Sequence, residues 1–231
     1  MNQTILTRMN NRKFWVLTGN YGSGKTELAL NLAFQEAEAG RSVTLVDLDI
    51  VNPYFRSGEK AEELRTAGIR VLMPTFALTT VDIPALPAEI QSVFETPADR
   101  VIFDVGGDDT GAAALGRYYP SFMSRRSETS VWMVVNCMRP LTQRKEDILE
   151  MADRIQMRGR LALDGLINNT NLAGRTTAEM LMDGENTILA CAGQLGISAV
   201  TAGSPELLNS CPLRTETFPI SRYMKPEWME E

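Results

Sequence analysis

The chain has 231 residues, 44% of them hydrophobic and 23% charged, with a formal net charge of −6. This is the composition of a globular chain long enough for one large domain, and its acidity argues against a duplex DNA partner, which requires a basic face. The absence of histidine excludes every mechanism built on imidazole.

Short β-rich apolar runs alternate with helical patterns along the chain. The runs are 14–18, 42–48, 69–73, 100–105, 130–136, 161–168 and 197–201. Stretches such as "SVTLVDL", "RVIFDV" and "SVWMVVN" are apolar almost throughout, as in strands covered on both faces. Helices are expected over 25–39, 57–67, 84–94, 112–123, 143–157 and 177–195, with Gly40 and Gly68 placed as C-caps and Thr142 as an N-cap. The alternation predicts an α/β fold: three layers, a mostly parallel sheet flanked by helices, with right-handed crossovers. No linker or repeat interrupts it. A single domain over 1–231 is expected, with a core of about 12–203 and a tail of 204–231 that packs on the body or on a partner.

No apolar run approaches the roughly 20 residues a membrane span needs. The first residues, "MNQTILTRMNNRKFW", lack the apolar core of a signal peptide. The expected location is the cytoplasm. Cys137, Cys191 and Cys211 are far apart and odd in number, which speaks for buried thiols rather than a disulfide or metal framework. The basic clusters at 124–127 and at Arg154, Arg158 and Arg160 read as solvated helix faces.

One stretch is costly unless it has a use. "GNYGSGKT", from Gly19 through Asn20, Tyr21, Gly22, Ser23, Gly24 and Lys25 to Thr26, places three glycines between a strand and a helix, where glycine weakens both. It matches G-x-x-x-x-G-K-[ST], and the strand before it and helix after it supply the required context. Glycines let successive backbone N–H groups turn around a phosphate, and the helix N-terminus adds free donors and its dipole. Lys25 is then the charge for the β- and γ-phosphates, Thr26 the hydroxyl for Mg²⁺, and Glu27 the next residue at the site.

Three acids fall on the same sheet edge. Asp47 and Asp49 end the second predicted strand, and Asp104 ends "RVIFDV". Ligands of open α/β sheets bind outside the carboxyl ends of the strands. Asp104 stands where a Walker B aspartate holds Mg²⁺, and with Thr26 and Asp47 it forms the expected metal set. Gly107 follows Asp104 by three, a spacing at which a backbone N–H can meet a γ-phosphate and move on hydrolysis.

The P-loop, "VDLDIVNP" and "DVGGDD" together resemble the MinD/ParA/CobQ-like P-loop ATPases of the SIMIBI class. The resemblance spans roughly 12–203. It implies that Asp47 positions the attacking water or contacts Mg²⁺, that Asp49 lies behind it or helps place the water, and that an asparagine after a late strand reads adenine. Asn168 and Asn169 are the candidates, with Asn169 the better match. MinD and ParA carry a signature lysine after the first P-loop glycine, which reaches across a dimer; Asn20 stands there, so an activating nucleotide-sandwich homodimer is not expected on that basis. Arg56 is a candidate arginine finger in its place.

The functional expectation is a Mg²⁺-dependent ATP-binding protein, a slow ATPase that switches a protein partner. Its catalytic residues are Lys25, Asp47 and Asp49. ATP is preferred over GTP because "VNCMRP" and "INNTNL" lack the Lys and Asp of an N/T-K-x-D guanine reader. The segments 52–64 and 74–92 are the expected moving or contacting surface. Alternatives are an ATP-dependent kinase or ligase of the dethiobiotin-synthetase or CobQ kind, with Arg56, Lys60, Arg117 and Tyr118 near a small-molecule acid, and a metal-chaperone GTPase. A homodimer remains open as an assembly, and nucleic acid is not an expected partner.

Overall fold

Strand β1, Phe14–Thr18, is wholly buried and sits inside the sheet. The computed structural model describes residues 12–49, 58–73, 88–107 and 109–224. After β1 come α1 (Lys25–Glu38), β2 (Val43–Leu48), α2 (Gly58–Thr66), β3 (Arg70–Leu72), α3 (Ala88–Ser92) and β4 (Arg100–Val105). The second half adds α4 (Asp109–Arg117), α5 (Tyr119–Ser124), β5 (Thr129–Val135), α6 (Lys145–Gly159), β6 (Gly165–Asn168), α7 (Ala178–Leu195), β7 (Ser198–Gly203), α8 (Pro205–Ser210) and β8 (Glu216–Pro219).

The eight described strands form one sheet in the order β3-β2-β4-β1-β5-β6-β7-β8, and every neighbouring pair is parallel. Parallel strands need crossovers, so helices cover both faces and each central strand is buried on both sides. Alternate residues therefore feed two cores. Phe14 and Val16 join Phe94, Phe103 and Phe122 on one face. Trp15 and Leu17 meet Leu28, Leu32 and Ile102 on the other. On the first face Phe94 and Phe122 pack edge to face with centroids 4.9 Å apart, a geometry aromatic rings favour.

Several boundaries differ from the sequence expectation. The helix expected over 112–123 is two helices that meet at Tyr118, because Pro120 sits in the first turn of the second and has no N–H to continue the first helix's ladder to the Gly116 carbonyl, which its ring would crowd. Thr142 does not cap α6. Arg144 holds the N-cap position, while the buried Thr142 hydroxyl donates to the Asn136 carbonyl at 2.8 Å. The expected strand over 161–168 begins at Gly165. In the described part of the tail, α8 is capped by Ser204 and β8 adds parallel to β7. Cys137 and Cys191 are buried, and burial pushes the Cys191 thiol up to about 11.

Under the second face lies a buried ion cluster. The Glu36 carboxylate is fully buried in α1 and meets Arg41 at 2.6 Å and Arg100 at 2.7 Å. The Arg100 guanidinium lies 5.1 Å over the Trp15 ring. Removing one member of a buried pair leaves charge where water cannot reach it. Glu36→Ala is expected to lower stability in urea melts by about 3–5 kcal/mol. Nucleotide affinity should hardly change, since Glu36 is in the last turn of α1 and Lys25 in the first.

Candidate functional site

The C-terminal ends of β1, β2 and β4 converge on the N-terminus of α1. Leu17 of β1 pairs with Asp104 of β4, and Asp104 pairs across with Asp47 of β2. The loop 19–24 leaves β1 and turns directly into α1. Gly24 is the N-cap at φ 92°, a left-handed conformation, and a β-carbon on it would fall 2.2 Å from the Asn169 side-chain nitrogen. Only glycine fits there.

The side chains expected at the site divide into three sets. Lys25, Thr26, Asp47, Asp49 and Asp104 are brought together. The Lys25 ammonium donates to the Asn20 carbonyl at 3.0 Å and is 7% exposed. The Thr26 hydroxyl donates to Asp104 Oδ2 at 2.6 Å. Asp47 Oδ1 accepts the Asp49 backbone N–H at 2.8 Å, which fixes the turn leaving β2. Gly107 lies against the P-loop backbone: a β-carbon on it would be 2.5 Å from the Tyr21 nitrogen. Loop and switch-like glycine are therefore in direct contact.

The second set holds the loop itself. The Asn20 amide donates to the Pro140 carbonyl at 2.9 Å, and its oxygen accepts the Tyr21 N–H. Asn169 donates to the Ser23 carbonyl at 2.7 Å, so the residue that follows β6 braces the P-loop from within the cleft wall. Glu27 faces the chain's own C-terminal part: its carboxylate accepts the N–H groups of Tyr223 and Met224. Asn31, one turn further, exchanges two hydrogen bonds with the Ser221 backbone at 2.7 and 2.8 Å, and Phe34 stacks on Tyr223 at 4.6 Å. Residues 219–224 are thus strapped along α1.

The third set stands apart. Asn168 donates to the Leu181 carbonyl and to Thr201, and it ties β6 to α7 and β7 rather than facing the cleft. Tyr118 is buried beside Phe94, where burial pushes its hydroxyl up to about 12. Neither Tyr118 nor Arg117 is in the cleft wall. Arg56, the Lys60 side chain and much of the expected contact surface, 52–57 and 74–87, lie outside the described residues.

The cleft has a volume of about 900 Å³. Its wall includes Lys25, Thr26 and Asp49, Ser204 after β7, and the strap at Arg222 and Met224. Sequence reasoning missed both the strap and Arg139, which enters the wall from the loop after β5.

Burial dominates the electrostatics. It pushes the Asp104 carboxyl up to about 6, with Asp49 adding repulsion, against the lowering pull of Lys25 and of the Thr26 hydroxyl. Asp104 is 2% exposed, and its Oδ1 has no hydrogen-bond partner. A buried carboxylate oxygen left bare is costly, and a divalent cation would satisfy it. No group of three or more Cys, Asp or Glu gathers into a metal cage among the described residues. That suits Mg²⁺, which takes one or two carboxylates and completes its shell with phosphates and water. Thr26, Asp104 and Asp47 are the residues that could hold it.

No protein-family model and no curated protein sequence matches the chain. Solved structures do. The chain is similar to the cell division protein FtsY from Thermotoga maritima, with 18% identity and a TM-score of 0.52, over 80% of this chain and 59% of that one. It is similar to the signal recognition particle 54 kDa protein from Aeropyrum pernix K1 in complex with GDP, with 21% identity and a TM-score of 0.52, over 83% of this chain and 42% of that one. A third likeness is to the hydrogenase maturation factor HypB from Archaeoglobus fulgidus, with 15% identity and a TM-score of 0.50, over 85% and 83%. The chain spans about half the length of the first two. These likenesses, with the parallel eight-stranded sheet, show the fold of the P-loop NTPases. No helix among the described residues is long and apolar enough to cross a membrane.

Proposed function

We propose that the chain is one nucleotide-binding domain that binds a Mg²⁺–nucleoside triphosphate, hydrolyses it slowly and uses the change to switch a partner protein. The observation that carries this reading is the Thr26–Asp104 hydrogen bond at 2.6 Å beside a P-loop, with the second Asp104 oxygen buried and bare. Those two side chains are the ones a P-loop NTPase turns toward its metal.

In this reading the N–H groups of the loop and of the first turn of α1 cradle the phosphates, and Lys25 neutralises the β- and γ-oxygens. Bound Mg²⁺ would supply further neutralisation of the phosphate charge. Asp47 and Asp49 orient the attacking water. The water oxygen bonds to the γ-phosphorus as the bond to the β–γ bridging oxygen breaks. The bonding pair goes to that oxygen, and the water proton ends on the released phosphate. Gly107, resting on the Asn20–Tyr21 backbone, offers its N–H to the γ-phosphate and shifts when that phosphate leaves. That displacement is the switch.

ATP is the preferred nucleotide. Guanine reading calls for a carboxylate at the base end, and the acids of the described wall are Glu27 and Asp49. Glu27 accepts the strap's N–H groups, and Asp49 is at the phosphate end near Asp104. GTP is the second reading, favoured by the GDP in the similar signal recognition particle protein. The MinD/ParA/CobQ resemblance is kept at the level of the site. Asn20 is neutral and bonded to Pro140, so it supplies no charge across a dimer.

The test separates binding from chemistry. Asp47→Asn keeps an oxygen for the Asp49 N–H and loses the charge. Phosphate release is expected to fall by about 10–100-fold while nucleotide affinity changes less than about threefold. Equal loss in both would remove Asp47 from the chemical step.

A further inference from the structure

Arg139 is the feature of the cleft that the reading above leaves unused. It belongs to the loop after β5, and in the folded chain that loop stands beside the P-loop because β5 is paired with β1. The Arg139 Nε is 3.4 Å, and its Cζ 3.6 Å, from where a side-chain carbon on Gly22 would sit. The guanidinium therefore covers the one face of Gly22 that a side chain would fill, and it forms part of the same wall as Tyr21 and Lys25. No carboxylate among the described residues is paired with it.

The platform under Arg139 is built. Its own N–H donates to the Asn136 carbonyl at 3.0 Å, and its carbonyl accepts the Thr142 N–H at 3.3 Å. Asn136 Oδ1 accepts the Met138 N–H, and Asn136 Nδ2 donates to the Asn171 carbonyl. On the far side, the Asn20 amide donates to the Pro140 carbonyl at 2.9 Å. The loop is thus fastened to the P-loop at one end and to the β6 loop at the other. An arginine carried on such a support needs little ordering to meet an anion, and its fork suits phosphate oxygens.

We propose that Arg139 is a catalytic residue acting in cis, a built-in arginine that contacts the phosphates over the P-loop and stabilises charge as the γ-phosphoryl departs. The proposal rests on the cleft being a nucleoside triphosphate site. Water forms the new bond to the γ-phosphorus, and the electron pair of the broken bond settles on the β–γ bridging oxygen. The guanidinium opposes that growing negative charge and takes no proton. Such a charge exists only in part before the transition state, so the contribution should appear in rate more than in ground-state affinity.

The experiment uses the full chain with Mg²⁺ and either ATP or GTP. Phosphate release is followed in a single turnover, together with the affinity for the diphosphate alone and for the diphosphate with aluminium fluoride. Arg139→Ala is expected to slow release by about 10²–10³-fold, somewhat less than an arginine finger delivers in trans. Diphosphate affinity should stay within about threefold and the aluminium fluoride complex should weaken at least about tenfold. Arg139→Lys should recover part of the rate, and Arg144→Ala, whose arginine pairs with Asp147, should match the native protein. Release and aluminium fluoride affinity within about twofold of native in Arg139→Ala would overturn the proposal while leaving the nucleotide site intact. Native protein that binds neither Mg²⁺–nucleotide would overturn the underlying reading, and Arg139's role with it.

Discussion

Lys25→Ala is expected to weaken Mg²⁺–nucleotide binding by about 10²–10³-fold in a calorimetric titration, with the fold intact by circular dichroism. The size follows from the chemistry of the contact. An ammonium on a phosphate is a charge-assisted hydrogen bond made in a partly dry cleft, where truncation of one partner is expensive. Lys25 is already held at the site by the Asn20 carbonyl at 3.0 Å and is 7% exposed, so little ordering remains to be done on binding. A second consequence reaches Asp104. Lys25 is the main charge drawing that carboxyl down against burial. Without it Asp104 should titrate higher still, and Mg²⁺ should bind more weakly at neutral pH. A variant with native nucleotide affinity would separate Lys25 from the phosphates.

Asp104→Asn should cost function and add stability. The amide keeps the shape and can still bond to Thr26, but it cannot bring charge to a metal. Mg²⁺-stimulated phosphate release is expected to fall by about 10²–10³-fold. The stability effect runs the other way. Burial raises the Asp104 carboxyl from an ordinary 3.8 to about 6. The folded state therefore holds the proton more tightly than the unfolded state. Without metal, stability falls as the pH rises from about 4 to about 6 and stays lowered above that. Removing the charge should raise metal-free stability at pH 7–8 by about 1–3 kcal/mol, and should leave it nearly unchanged at pH 3–4. The same titration governs the metal. Mg²⁺ affinity of the native protein should drop as the pH passes below about 6, because the ligand must first lose its proton. A metal-free Asp104→Asn protein less stable than native at pH 8 would contradict this account of the carboxylate.

The placement of these two residues beside the loop is legible in the sequence, and the reason is local. A P-loop is written in eight consecutive residues between a strand and a helix, and Asp104 ends a run whose strand is apolar on both faces. β2, β4 and β5 announced themselves in the same way, because each is sandwiched between two helical layers. What the sequence hid depends on distant neighbours. β8 carries one buried apolar side chain, Phe218, and owes its place to pairing with β7. The buried Glu185 adds to this by accepting the N–H groups of Arg214 and Thr215 just before it. The strap is invisible for the same reason: Glu27 and Asn31 read as the polar face of a helix until Ser221, Tyr223 and Met224 are seen bonded to them. Asn168 and Asn169 are adjacent, so strand alternation sends them to opposite sides. One braces α7 and the other the P-loop. Arg139 becomes visible only once β5 is known to lie beside β1.

The direct test of the central claim is a calorimetric titration of the native protein with ATP and with GTP, each in the presence and absence of Mg²⁺. The account predicts one nucleotide bound per chain, ATP more tightly than GTP, and a gain on adding Mg²⁺ that disappears in Asp104→Asn. Binding of neither nucleotide, or a titration that Mg²⁺ leaves unchanged in the native protein, would contradict it.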